Sequence, residues 1–376
     1  MPQPLPPKLV HRLVLMNAMI SFLMGSLGFS IQLIKRDFDL TRVMAAWHNI
    51  GWATALVVIS ILLLDHGHHR PVHQRMRIGW LVLVTGSILY CLSPNIYFSV
   101  PAIALAASGS VIVGNIAAAL LGSHSKTALN NIFRSTGVGL LMAAISPTLI
   151  GVTTQIDIPW RWTVSISALL IGISAFFLIP VIDAQPEVAH DERKIIWNSA
   201  ALSLLGFAFL TIMMEVGLSA WALDLLTERG AQVKTAVLVA TVAPYFVALV
   251  RVYLSFKKNH NLNRIWAFSI FSVTVGIALI ILTGSPTLTL VGLIIAAVGI
   301  GPCGSIAMTN SSGSQQGADR GVAVFVIGMG LSNGASPWVM GFVSENFGFR
   351  AAYVVILIAL VFASVLFKKI NQKVLI

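Results

Sequence analysis

The sequence predicts an all-α integral membrane protein with twelve transmembrane helices arranged as two six-helix bundles. Three observations support this fold class: the composition, the length of the apolar runs, and a polar stretch near mid-chain. Of the 376 residues, 57% are hydrophobic and 10% are charged, whereas a soluble domain has about 25% charged residues. The mean hydropathy of +0.87 fits a chain surrounded mainly by lipid, because hydrocarbon accepts apolar side chains on every face of a helix.

Twelve apolar runs approach or exceed the length that a bilayer requires. An α-helix rises about 1.5 Å per residue, so about 20 residues span the hydrocarbon core. The first six runs cover residues 13–34, 43–64, 78–92, 96–121, 132–152 and 162–182. The other six cover residues 195–226, 236–256, 265–282, 288–309, 322–343 and 351–367.

A polar stretch, residues 183–194, separates the two sets of six runs. We predict that it is a cytoplasmic linker between an N-terminal bundle, residues 1–182, and a C-terminal bundle, residues 195–376. The motif Ser-Pro-x-x-x-Gly also occurs in the fifth run of each half, starting at Ser146 and at Ser336. A motif repeated at the same position in both halves is typical of a duplicated six-helix unit.

The distribution of Lys and Arg predicts the orientation in the membrane. An even number of crossings places both termini on one side, and cytoplasmic loops carry the excess of Lys and Arg. Sixteen of these residues fall on the side of the termini, including Arg251 at the end of the eighth run, and seven fall on the other side. The sequence therefore predicts a multi-pass protein of the plasma or inner membrane with both termini in the cytoplasm. The net charge of +11 lies between apolar runs, which argues against a nucleic-acid partner.

Six plus six helices, a polar central linker, both ends inside and paired Ser-Pro helices resemble the major facilitator superfamily. In the loop after the second helix, that family carries a glycine, an aspartate, a second glycine and basic residues. This chain has Asp65, Gly67 and Arg70 there, with Ile61 in place of the leading glycine. The resemblance implies that these three residues form a gate, in which Asp65 contacts neighbouring helix ends in the outward-facing state. The alternative is that Asp65 is a solvated loop acid.

The same loop is rich in histidine, which raises the question of a metal site. Imidazole clusters bind zinc, copper and nickel, but these histidines crowd a basic turn with no cysteine or second acid nearby. Basic decoration of a cytoplasmic loop explains them better, and we expect no metal and no cofactor. The sequence also has no phosphate-binding loop, serine elbow or helical zinc pair, so we expect no enzyme activity.

Polar side chains inside the apolar runs are the candidates for a substrate or proton pathway. They are costly in lipid and normally face a cavity or another helix. Packing between helices remains the alternative for each of them, and Arg134 can also extend to the lipid headgroups. The candidates are Glu215, Gln32, Asn17, Asn115, Arg134, His48, Trp221 and Asn333.

Glu215 is the acid that lies deepest inside an apolar run. An ionised carboxylate is disfavoured there, so the sequence predicts an acid that is neutral in a closed cavity and releases its proton when water enters. The alternative is a structural acid that is hydrogen-bonded across helices. The segment from Glu215 to Trp221 resembles the seventh helix of sugar-type facilitators, where an acid or amide precedes a tryptophan.

These observations predict a secondary active transporter, proton-coupled or facilitative, that moves a small polar solute such as a sugar by alternating access. A drug or metabolite exporter that works as a proton antiporter is the alternative. A membrane receptor or scaffold would be expected to carry a sizeable soluble domain, which these 376 residues do not contain. The expected partners are a small-molecule substrate, the lipid bilayer and protons, and the expected oligomeric state is a monomer.

Overall fold

The computed structural model describes residues 6–66, 71–122, 127–179, 197–232, 236, 239, 241–257, 259–313 and 318–374. The regular elements within these ranges are helices, as predicted. The first six are α1 (Pro7–Asp37), α2 (Arg42–His66), α3 (Val72–Cys91), α4 (Ile96–Gly122), α5 (Ala128–Gln155) and α6 (Trp160–Leu178). The others are α7 (Ser199–Ala220), α8 (Ala222–Glu228), α9 (Val242–Ser255), α10 (Leu262–Leu282), α11 (Pro286–Ser312) and α12 (Ala318–Val374).

At two places the structure divides or joins the predicted runs differently. The seventh run is divided at Trp221, whose backbone leaves the helical region between α7 and α8. The last two runs both lie in α12, which breaks at Gly348, where φ is 80° and ψ is 164°. Glycine adopts a positive φ without the steric penalty of a side chain. The chain therefore turns at Gly348 between two predicted crossings.

Nine of the described helices are long and apolar enough to cross a membrane. The last of them, Arg320–Asn371, has 52 residues and contains both of the final predicted crossings. Val242–Ser255 is a shorter apolar helix. The membrane-spanning character predicted from composition is thus present along the described chain.

Buried apolar side chains form two clusters. One comes from α1 to α6, and the other comes mainly from α7 to α12. The second cluster also includes Leu56, Val111, Ala118 and Phe133 from the first half, because α2 and α4 pack against α12 and α5 packs against α9. The predicted linker lies outside the described residues, and the division into two bundles at that point stays a prediction.

Arg161, in the first turn of α6, contacts the ends of two other helices. Its Nη1 donates to the carbonyl oxygens of Cys91 at 2.7 Å and Ser93 at 2.9 Å. Its Nη2 lies 3.2 Å from Oδ2 of Asp37. The start of α6 is therefore fixed to the ends of α1 and α3.

Candidate functional site

A cavity of about 290 Å³ lies between the two halves of the chain. Residues of α1, α2, α4 and α5 line one side, and residues of α7, α9, α11 and α12 line the other. Most of the lining is apolar, and Trp52, Leu56 and Phe325 contribute to it. The polar lining residues are Asn17, Ser21, Ser110, Asn115, Ser135, Thr136, Glu215, Arg251 and Asn333.

An ion pair between Glu215 of α7 and Arg251 of α9 forms part of the cavity wall. Nη2 of Arg251 donates to Oε2 of Glu215. Nε of Arg251 donates to the carbonyl oxygen of Gly301 in α11 at 2.6 Å. The side chains are 6% exposed for Arg251 and 17% exposed for Glu215. Among the described lining residues, these two are the charged ones.

Gly304 of α11 leaves the space that the ion pair occupies. A Cβ atom at this position would lie 3.0 Å from Nη2 of Arg251 and 3.2 Å from Oε2 of Glu215. Gly301, one turn earlier, brings α11 to within van der Waals contact of Val250 in α9. Small residues allow helices to approach this closely. The glycines of α11 therefore position the helix against both charged groups.

The pair changes the interpretation of Glu215. The sequence predicts an acid whose charge is removed by a proton, whereas in this conformation a guanidinium compensates it. Removing either member of a buried ion pair leaves an uncompensated charge and typically costs about 3–5 kcal/mol. Glu215 and Arg251 therefore act as one unit at the cavity wall.

Sequence reasoning missed Arg251 because it counted this residue as a cytoplasmic charge at the end of a run. The structure places it inside α9, where it is 5% exposed. The signal that identifies Glu215 was present for Arg251 too: a lone charge flanked by apolar residues on both sides. Without it, fifteen Lys and Arg residues instead of sixteen fall on the side of the termini.

Three other predicted site residues line the cavity, and each is an asparagine. Nδ2 of Asn17 donates to the carbonyl oxygen of Ser135 at 2.9 Å. Nδ2 of Asn115 donates to Oγ of Ser60 at 3.3 Å. Asn333 reaches the cavity from α12. The carboxamides of both halves thus face the same space as the ion pair.

Four predicted site residues lie elsewhere. His48 is fully buried, with Nε2 at 2.8 Å from Oγ of Ser99 and Nδ1 at 2.9 Å from the carbonyl oxygen of Ala45. The indole of Trp221 donates to the carbonyl oxygen of Pro337 at 2.9 Å. Their contacts are typical of packing between helices.

Arg134 and Gln32 are also absent from the described lining of the cavity. Nη2 of Arg134 lies 3.0 Å from Nε2 of His11, near the start of α1. Gln32 lies in the last two turns of α1, beyond the cavity-lining segment of that helix, which ends at Met24. Neither residue is placed to contact a solute in this cavity.

Most of the predicted gate lies outside the described residues. Gly67 and Arg70 lie outside the described residues, and Asp65 belongs to α2 but its side chain is not described. In the part of the chain that the structure describes, no group of three or more His, Cys, Asp or Glu side chains is placed to hold a metal ion.

Polar contacts also join α5 to the second half. Oγ1 of Thr136 lies 2.9 Å from Oγ of Ser305 in α11. Beyond the end of α9, Nε2 of His260 lies 2.7 Å from Oδ1 of Asn130, and Nδ2 of Asn130 donates to the carbonyl oxygen of Lys257 at 3.1 Å. Burial lowers the pKa of His260. This contact connects the start of α5 to the loop between α9 and α10.

Two solved structures match nearly the whole chain. The E. coli fucose:proton symporter FucP matches with a TM-score of 0.73 and 11% identity, over 97% of this chain and 99% of that one. A bacterial homologue of the human lysosomal transporter Spinster, in an inward-facing and occupied conformation, matches with a TM-score of 0.67 and 15% identity, over 99% of this chain and 98% of that one.

Comparisons of the sequence alone cover less of the chain. The model of the SCAMP family matches residues 174–340, which is less than half of the chain. No curated protein sequence matches. At the identities of the two solved structures, their likeness shows the fold, and the near-complete coverage extends it over both halves.

Proposed function

Because this chain has the fold of the major facilitator transporters, we propose that it is a secondary transporter that moves a small polar solute across a membrane by alternating access. A fold alone does not define an activity. The observation that carries the proposal is the cavity between the halves, with a buried ion pair in its wall. The cavity is where a solute can contact both halves at once.

The size and lining of the cavity support a small polar solute. A volume of about 290 Å³ lies near the lower end of the range of small-molecule pockets, about 300–1,000 Å³. A carboxamide carries two N–H donors and an acceptor oxygen, and Asn17 and Asn115 each use their amide nitrogen for one bond within the protein, so donors and acceptors remain for a solute. A solute with hydroxyl, carbonyl or carboxylate groups matches that lining.

We propose the proton as the coupling ion and Glu215 as the group that carries it. Glu215 is the acid among the described lining residues. While it is paired with Arg251 its charge is compensated, and once the pair opens a buried carboxylate is costly unless it binds a proton. A cycle of pairing and protonation would link proton movement to the state of the cavity.

A screen followed by transport in liposomes tests this proposal. Sugars, organic acids, amino acids and cationic drugs are tested for an increase in the unfolding temperature of the purified protein, because a bound solute stabilises the folded state. A solute that binds should then move protons across liposomes with the wild type and not with Glu215→Gln. Transport without proton movement would contradict the coupling and leave the transport proposal intact. If no tested solute binds or crosses, the transport proposal is wrong.

We also propose that both termini face the cytoplasm of a plasma or inner membrane and that the protein acts as a monomer. The excess of Lys and Arg on the side of the termini supports this orientation, with Arg251 left out of the count. A fluorescent-protein fusion after residue 376 should fluoresce in bacterial cells, whereas an alkaline phosphatase fusion at the same point should be inactive. The opposite pair of results would reverse the orientation.

A further inference from the structure

We infer that the solute is a small organic anion whose carboxylate replaces Glu215 on Arg251 inside the cavity between the halves. This inference rests on the proposed transport function and narrows it to one class of substrate. Three features of the site support it: the hydrogen bonds of Arg251, the charges that remain when the ion pair opens, and the residues around Glu215.

Arg251 has donors left for a ligand. A guanidinium carries five N–H groups, and the described partners use Nε, for Gly301, and Nη2, for Glu215. Nη1 has no hydrogen-bond partner among the described residues, and Arg251 lines the cavity. Guanidinium binds carboxylate through two parallel hydrogen bonds better than it binds single neutral acceptors. The group that Arg251 now binds is itself a carboxylate.

The charge balance favours an anion over a neutral or cationic solute. A neutral solute that separates the pair would leave two buried charges without partners. A cation could pair with Glu215, but Arg251 would then stay charged and alone, because a guanidinium does not lose its proton in proteins. An anion on Arg251 leaves only Glu215, which a proton neutralises. Among neutral, cationic and anionic solutes, the anion is thus the class for which both members of the pair end without an uncompensated charge, and serine tests the remaining zwitterionic class.

The surroundings of Glu215 are consistent with one anion and one proton at a time. Arg251 faces it from α9, and α11 brings the buried thiol of Cys303 near both charges. The described cavity-lining residues of α12 carry no ionisable side chain. When one monovalent anion binds Arg251 and one proton binds Glu215, the two transported species together carry no net charge. Transport of a monocarboxylate is then electroneutral.

The first experiment compares carboxylates with their amides on the purified full-length protein. The probes are acetate, lactate and benzoate, each beside acetamide, lactamide or benzamide, with fucose and serine as neutral and zwitterionic probes. We expect at least one carboxylate to raise the unfolding temperature and its amide to have no effect. In weakly buffered solution, binding of that carboxylate should take up one proton per protein molecule.

Substitutions of the two charged residues should change the affinity for the carboxylate in opposite directions. Glu215→Gln removes the internal competitor and should bind the carboxylate roughly tenfold more tightly, within the usual range of coupling between sites, and without proton uptake. Arg251→Gln should lose the response. The double variant, Glu215→Gln with Arg251→Gln, removes both charges of the pair and controls for folding. Arg161→Gln removes an arginine far from the cavity and should keep the wild-type response.

The outcomes separate this inference from the transport proposal. Equal stabilisation by a carboxylate and its amide, or by fucose alone, overturns the anion class while leaving a transporter of neutral solutes. Binding of serine without proton uptake overturns it in favour of a zwitterion that bridges the pair. No response to any carboxylate, or weaker carboxylate binding by Glu215→Gln, also overturns it. If Glu215→Gln fails to fold, two measurements on the wild type still test the inference: the difference in unfolding temperature between a carboxylate and its amide, and the proton uptake on carboxylate binding.

Discussion

At the scale of single residues, Gly304 is where a small change reaches the ion pair most directly. We predict that Gly304→Ala lowers the free energy of unfolding by about 1–2 kcal/mol, because the new methyl group forces Arg251 and Glu215 to shift. Thermal unfolding in detergent measures the change. Gly151→Ala is the matched control, since a Cβ there meets nothing within 4 Å, and alanine is favoured over glycine in a helix by up to about 1 kcal/mol. Equal effects of both substitutions would show that the pair has room to adapt.

A substitution of Trp221 tests whether this residue has a structural role or contacts the solute. Its indole bonds the carbonyl oxygen of Pro337, and it does not line the cavity in the described structure. Trp221→Phe keeps most of the apolar contact and should lower stability by about 1–2 kcal/mol, through the buried carbonyl that loses its donor. Solute affinity should stay within about twofold. Trp162→Phe is the control, because Trp162 is 63% exposed. A large loss of solute affinity in Trp221→Phe but not in Trp162→Phe would show that Trp221 contributes to the solute site.

At the scale of elements, the contact between the start of α5 and the loop after α9 should depend on pH. Burial lowers the pKa of His260 below that of an exposed histidine, so this conformation binds the proton less well than an opened one. The contact is therefore favoured above the pKa of about 6.5 of an exposed histidine and lost as the pH falls towards the lowered value. On α5, His260 contacts Asn130 and the ring of Phe133, and Asn130 also bonds the carbonyl oxygen of the cationic residue Lys257 in the loop.

Spin labels on the exposed positions Thr127 and Asn259 measure this opening. The distance between the labels should lengthen when the pH is lowered from about 7.5 to about 5.5. In His260→Gln, which keeps a hydrogen-bond donor but does not titrate, the distance should not change with pH. A shift of equal size in that variant would assign the pH dependence to another group.

At the scale of the whole molecule, the two halves should reassemble as separate chains. Each half has its own cluster of buried apolar side chains, and the halves meet through α2 against α12 and α5 against α9. Residues 1–188 and 189–376, expressed together, should co-purify in equal amounts and bind the same solute as the intact chain. Expression of each half alone is the control for non-specific association. Failure of the co-expressed halves to associate would contradict the predicted division between residues 183 and 194.

The sequence by itself determined the helical fold, the apolar segments that can cross a membrane, and the position of Glu215 inside one of them. A membrane helix satisfies its own backbone hydrogen bonds, so its presence is decided by the hydropathy of a single segment and can be predicted without knowledge of its neighbours. An acid inside such a segment is detectable for the same reason, because its cost depends mainly on the surrounding lipid and protein interior. The helix breaks at Trp221 and Gly348 could not be predicted from hydropathy, because they depend on backbone angles within long apolar stretches.

Only the tertiary structure decided which polar residues share a site. Glu215 and Arg251 are 36 positions apart in the chain. Their contact depends on how α7 and α9 are rotated about their axes. It also depends on Gly301 and Gly304, which allow α11 to pack closely against both helices. The rotations of α1, α4 and α12 likewise turn the predicted asparagines towards the cavity, and the rotation of α2 leaves His48 in contact with Ser99. Helix rotation is set by packing between side chains from distant segments, which the hydropathy of one segment does not encode.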